Sequence, residues 1–289
     1  MKTALCIFGF LLLSVAGSLG LTAQTPDHQQ TAAPKISYEE EIAAWHQQRI
    51  ASLKRPHGWL SLIALDWLEE GDNHVAGFGV VTLTKGTISY KSLPELQPGL
   101  RGEIFTSGAL MTDVDKIEVG PRAFVVIRRG ERFAVRMWDA NAEALKGFTG
   151  IERFPLSKEW NIEARWEAYE KPKLIKIQSV IPDYMENYVV PGVAIFVVGG
   201  KEYRLEPVGE PGARQLFFIF ADKTNGGDTY GAGRFLYTDP PRGGRVVLDF
   251  NKATNPPCAF STFATCPLPP ASNRLPVRIE AGEKRFGDH

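Results

Sequence analysis

The stretch "AFVVIRRGERFAVRMWD", Ala123–Asp139, sets apolar residues at strand period on both sides of Arg129-Gly130. Successive side chains of a strand point to opposite faces, and a glycine between two such runs permits the tight reversal of a hairpin. Working outward, "GVVTLTKGTISYKS" (79–92) reads as two strands around Lys85-Gly86, and "GWLSLIALDWL" (58–68) as an apolar strand. Past residue 150, "WNIEARWEAY" (160–169) alternates strictly and "KLIKIQSV" (173–180) forms a further strand. "GVAIFVVGGKEYRLEPV" (192–208) predicts a hairpin at Gly199-Gly200, and "QLFFIFAD", "GRFLYTD" and "RVVLDF" complete the set. Short strands separated by glycine turns, without intervening helices, describe a mainly β, antiparallel sandwich or barrel architecture. The gap "ANAEALKGFTG" (140–150) has room for a helical turn, and a boundary near Gly150 divides the chain into two β subdomains, 36–150 and 151–289.

One substantial helix precedes the strands. Ser37 and Glu40 form a capping-box pattern, and Glu39, Glu40 and Glu41 favour the positive end of the helix dipole. Tyr38, Ile42, Trp45 and Leu53 then fall on one stripe until Pro56 ends the segment. This predicts an N-terminal helix lying on a β core.

The 289 residues carry 33 Lys+Arg against 33 Asp+Glu, with 44% hydrophobic and 11% aromatic content. That composition supports a packed body and leaves no basic run suited to nucleic acid. At the N-terminus Lys2 precedes an apolar run from Ala4 to about Ala16, followed by small residues at Ser18, Gly20 and Ala23. This is the layout of a signal peptide over 1–23, cleaved after Gly20 or Ala23, and it predicts a periplasmic or secreted protein. Residues 24–35 read as a flexible leader. No later apolar run reaches spanning length, so no stable membrane span is expected after cleavage. The oligomeric state is not legible.

Cys6 goes with the signal, leaving Cys258 and Cys266, an even pair that an exported chain can bridge. Fully extended, their Cα atoms would stand roughly 26 Å apart, whereas a disulfide needs about 4.4–6.8 Å. The bridge therefore requires "AFSTFAT" to double back, and two free buried thiols are the alternative.

Named catalytic signatures are absent: no G-x-S-x-G, H-E-x-x-H, phosphate loop or C-x-x-C occurs. The histidines His28, His46, His57, His74 and His289 include no pair at helical ligand spacing. Ordinary loop roles for His57 and His74 are favoured over a zinc site built from them with Cys258 and Cys266, so no metal and no cofactor are assigned. The polar, proline-rich segment from Asp222 onward is the informative region. One reading makes it a pocket for a small polar or anionic ligand. Asp249 or Glu283 would act as general base, and Asp228, Tyr230, Arg234, Asn251, Asn255, Asn273, Arg274 and Lys284 would bind. Phe260, Phe263 and Tyr237 would offer aromatic platforms. A second reading makes a cysteine the nucleophile, without a nearby His to activate it. A third makes the segment structural, as in a non-catalytic envelope or interaction module. Turnover is left open.

The strings "TNGGDTYGAGRFLY", "LDFNKATNPPCAFSTFATCPLPP", "NRLPV" and "AGEK", with weaker counterparts "GWLSLIALDWLEEGDNHV" and "FVVIRRGERFAVRMWD", carry a resemblance. Through them the chain, from about Trp45 to Phe286, resembles a bacterial family known only as domain-of-unknown-function family 1684. That resemblance implies no activity. The first half is also faintly similar in strand order to a forkhead-associated β-sandwich, a phosphothreonine binder. The loop "EGDNHVAGFG" (70–79) lacks that fold's Arg and Ser pairing, so no binding residue is carried over.

Overall fold

The computed structural model describes residues 36–287. The expected signal peptide and leader, Cys6, His28 and His289 lie outside the described residues. Helix α1, Tyr38–Leu53, opens with the expected capping box: Ser37 Oγ accepts from the Glu40 amide, and the Glu40 carboxylate accepts from the Ser37 amide. Ile42 and Leu53 are its buried anchors.

Ten strands follow a 3-10 turn at Trp59–Ser61. They are β1 (Leu62–Trp67), β2 (Gly71–Val75), β3 (Gly79–Thr84), β4 (Thr87–Ser92), β5 (Gly99–Leu100), β6 (Glu103–Ile104), β7 (Ser107–Leu110), β8 (Lys116–Val119), β9 (Arg122–Arg129) and β10 (Arg132–Asp139). They build two antiparallel sheets, ordered β1-β10-β9-β8-β5-β6 and β2-β3-β4-β7. Val81, Ile88 and Tyr90 of the second sheet share one core with Phe124, Val126 and Val135 of the first, which makes this part a sandwich. The β9–β10 hairpin pairs Arg129 with Arg132 as its sequence demands.

After the single turn α2 (Glu143–Lys146) come β11 (Asn161–Gln178), β12 (Met185–Val198), β13 (Lys201–Leu205), β14 (Leu216–Phe220), β15 (Arg234–Thr238) and β16 (Arg245–Asp249). These form a sheet ordered β13-β12-β11-β16 and the pair β14-β15, again antiparallel. The two runs read as separate strands around residue 170 are one strand, β11. Its register slips between Ala168 and Lys173, where Pro172 cannot donate to the ladder. The short strands β5, β6, β7 and β8, and β2 inside the expected loop 70–79, escape the sequence reading. Strands of two to five residues hold too little pattern to show a period.

Residues from Ser37 onward gather into one compact unit. Although α1 stands first among the described elements, its polar partners come from beyond residue 150. Tyr38 donates to Asp249 (2.8 Å), Glu41 meets Lys252 (2.6 Å), and Arg49 meets Glu283 (3.0 Å). Leu53 packs with Leu60, Phe148, Ile151 and Phe260. Among the described residues no helix is long and apolar enough to cross a membrane.

Candidate functional site

The proline-rich C-terminal segment is built around two buried carboxylates. The first is Asp222, at the end of β14. Its Oδ2 accepts from Arg234 Nη2 (2.6 Å) and the Ile279 amide (3.1 Å); its Oδ1 accepts from the Thr224 amide (2.8 Å) and hydroxyl. Arg234 itself is fully buried and also donates to the carbonyls of Ala281 (2.5 Å) and Ile279 (2.9 Å). Burial pushes its pKa down, against the pull of Asp222. Such a guanidinium is committed to holding the C-terminal strand-like segment against β15, and reaches no solvent.

The second is Glu283. Its Oε1 accepts from Arg49 Nε, and its Oε2 from the Asn255 amide (2.6 Å) and side-chain nitrogen (3.2 Å). Arg49 also donates to the Asn255 carbonyl (3.0 Å), and Asn255 Nδ2 to the Lys284 carbonyl (2.8 Å). Gly282 permits this approach: at φ +78°, a Cβ there would stand 2.5 Å from the Ala253 carbonyl oxygen. The "AGEK" string thus serves a helix clamp. His46, one turn before Arg49, lies near Glu283 and Arg153, and burial first, then Arg153, lowers its pKa.

The remaining expected binders are occupied locally or dispersed. Asn273 closes a three-bond bracket, accepting from the Glu206 amide and donating to the carbonyls of Glu206 and Ile219. Arg274 is exposed and bridges Ala221 through its backbone. Asp228 pairs with Arg278 (2.5 Å) on the surface, and Tyr230 donates to the Cys258 carbonyl (3.2 Å). Lys284 Nζ lies 5.5 Å from the Phe154 ring centre. The structure does not bring Arg234, Asp249, Asn255 and Arg274 to one cleft.

The expected disulfide is corrected. Cys258 and Cys266 are free and buried, among Ile177, Val190, Ile219 and Phe235. "AFSTFAT" does double back, so that the Cys258 amide donates to Cys266 Sγ (3.0 Å). The sulfur is engaged as a hydrogen-bond acceptor rather than covalently. The hydrogen bond between the two side chains lowers the Cys258 pKa and raises that of Cys266. Among the described residues no three His, Cys, Asp or Glu side chains gather as metal ligands. His57 Nδ1 instead faces Lys116 Nζ at 2.8 Å.

Two expected residues, Asp249 and the aromatic platform Tyr237, do border open space. A cleft of about 600 Å³ runs between α1 and the β15–β16 edge. Tyr38, Glu41 and Trp45 line it from the helix, and Tyr237, Arg242, Arg245, Asp249 and Lys252 from the sheet and its turns. Asp249 Oδ1 accepts from Tyr38, the Asn251 amide (3.2 Å) and Asn251 Nδ2 (3.2 Å), while Lys252 stands 3.7 Å from Oδ2. Burial, then this hydrogen bond, pushes the Tyr38 pKa up, so the phenol stays a donor. Lys252 is paired with Glu41, and Arg245 with Glu163 at 3.7 Å. Arg242 is exposed and forms no ion pair within the described residues. The sequence reading missed Trp45 and Arg242. Trp45 was placed by its stripe as a core residue, and Arg242 lies in the turn "PPRGG", whose pattern announces only a turn.

A mainly antiparallel β protein, clamped by an N-terminal helix through the Arg49–Glu283 ion pair and the Tyr38–Asp249 hydrogen bond and open beside that helix, is the class so defined. Residues 146–284 match the family described as "Protein of unknown function (DUF1684)". The chain belongs to that family. The match covers the part holding both carboxylate centres and the cleft's sheet side, and stops short of the wider span from Trp45. No curated protein matches. Among solved structures the chain is similar to the uncharacterized protein from gene locus rrnAC0354 of Haloarcula marismortui, solved by solution NMR. Identity is 31%, over 51% of this chain and 82% of that one, with a TM-score of 0.43.

Proposed function

We propose that the protein binds a small polar ligand bearing an anionic group in the cleft beside α1, and that the proline-rich motif is its scaffold. The observation that carries this reading is Arg242, an exposed guanidinium free of ion pairs on a cleft also lined by Trp45 and Tyr237. Aromatic faces accept the C–H faces of a sugar or the plane of a ring, and the guanidinium fork accepts a carboxylate. Arg245 and Lys252 are already paired with Glu163, Glu41 and Asp249, and Asp239 lines the same cleft. Arg242 is thus the one lining cation without an ion pair among the described residues, and is the group that meets the ligand's anionic end. Glucuronic acid and glucose are suitable paired probes, read by isothermal titration. The acid should bind in preference to the neutral sugar, and Arg242→Gln should weaken it by about tenfold, or ~1.4 kcal/mol. Equal binding of the acid by wild type and variant, or none by either, would sink the reading.

We also propose that the chain is exported, on the strength of Lys2, the apolar run and the small residues at Gly20 and Ala23. Sequencing the mature N-terminus should give a start at Leu21 or Gln24. A protein that begins at Met1 in the cytosol contradicts it.

A further inference from the structure

Strand β10 presents Phe133, Val135 and Met137 to the sandwich core, so Arg136 projects from the opposite face, with Ala134 and Trp138. There it is only 8% exposed, and no carboxylate pairs with it. Its one hydrogen bond runs from Nη2 to Thr265 Oγ1 (3.2 Å), and its Nε is buried without a partner. A second guanidinium, Arg129, donates from Nε to the same hydroxyl oxygen (3.3 Å). Arg129 also meets Asp113 (3.2 Å) and keeps 22% of its side chain exposed. The Trp59 ring lies 5.5 Å from the Arg136 guanidinium carbon.

Two cations therefore share one neutral acceptor where the β9–β10 hairpin meets the Cys258–Cys266 loop. A buried charge is ordinarily matched by an opposite one, because desolvation and like-charge repulsion are otherwise uncompensated. Burial, followed by the charge of Arg129, pushes the Arg136 pKa down to about 10. The hydrogens at hand all point one way. Arg136 Nε–H has no acceptor, and Thr265 Oγ1, with both lone pairs engaged, has its own proton left to donate. Asp113 supplies one carboxylate against two guanidiniums, so the cluster keeps an excess of positive charge and of donors. That excess excludes a cation and suits an oxygen-rich anion, which guanidinium forks grip with two parallel bonds.

We propose that Arg129, Arg136 and Thr265 form a binding site for a small tetrahedral oxyanion of the phosphate or sulfate class. The site is separate from the cleft beside α1 and uses none of its residues. Thermal unfolding of the full chain in sodium phosphate, sodium sulfate and sodium chloride at matched ionic strength tests it. Phosphate or sulfate at about ten times its Kd should raise the Tm by roughly 3–5 °C over chloride. Arg136→Met should abolish the rise, and Arg242→Gln should keep it. Should Arg136→Met fail to fold, Thr265→Val and Arg129→Gln read the same loss at less buried positions. Equal Tm values in all three salts, or a rise retained in Thr265→Val and Arg129→Gln, overturns the proposal.

Discussion

Asp222 receives four hydrogen bonds, and Arg234 gives three; neither has contact with solvent. Their mutual attraction was gained at the cost of desolvating both, so the pair as a whole adds little net stability, but losing one member leaves the other charge uncompensated. Asp222→Asn, nearly the same shape, should therefore destabilise by about 3–5 kcal/mol, measured by urea unfolding. The double replacement Asp222→Asn with Arg234→Met should recover part of that loss. A single variant as stable as wild type would contradict the assignment. Nothing in "GAGRFLY" or "FADKTN" distinguishes a buried structural arginine from a ligand-binding one, since both chemistries ask for the same fork. The same ambiguity covers Asn255, Asn273 and Glu283, whose partners are 28 to 234 residues away.

Local elements were legible where the chain's own pattern decides them. The capping box needs only Ser37 and Glu40, three positions apart, and it forms. Hairpins at Lys85-Gly86 and Gly199-Gly200 need residues able to take positive φ, and these four stand between +47° and +82°. β11 reads as two strands in sequence, with Pro172 lying between the runs. Its pairing with β12 on both sides of the slip, from Arg165↔Ile195 to Gln178↔Met185, carries the strand through. A proline stops a ladder at one amide; a long partner strand resumes it.

At the scale of the whole molecule, two part-buried histidines couple stability to pH. Burial lowers the pKa of both His46 and His57 from the ordinary 6.5, helped by Arg153 and by Lys116 respectively. The unfolded chain thus takes up protons at a higher pH than the folded one, and stability rises with pH through that window. The contribution of the neutral rings is complete above about pH 6.5 and is lost as pH falls from there through the lowered folded values. Unfolding midpoints should drop over that range, and His46→Gln with His57→Gln should flatten the drop; an unchanged slope would contradict it. Both shifts arise from neighbours distant in sequence, as does everything that distinguishes the cleft. What the sequence by itself determined was the antiparallel β class, the leading helix with its cap, and the principal hairpins, because backbone sterics and apolar period act over a few residues. Only the tertiary structure decided that α1 is clamped to Glu283 and Asp249, that Arg234 is sealed in while Arg242 is free, and that two cysteines eight residues apart meet as thiols. Burial and charge pairing depend on which segments pack together, and that choice is made by the whole chain at once.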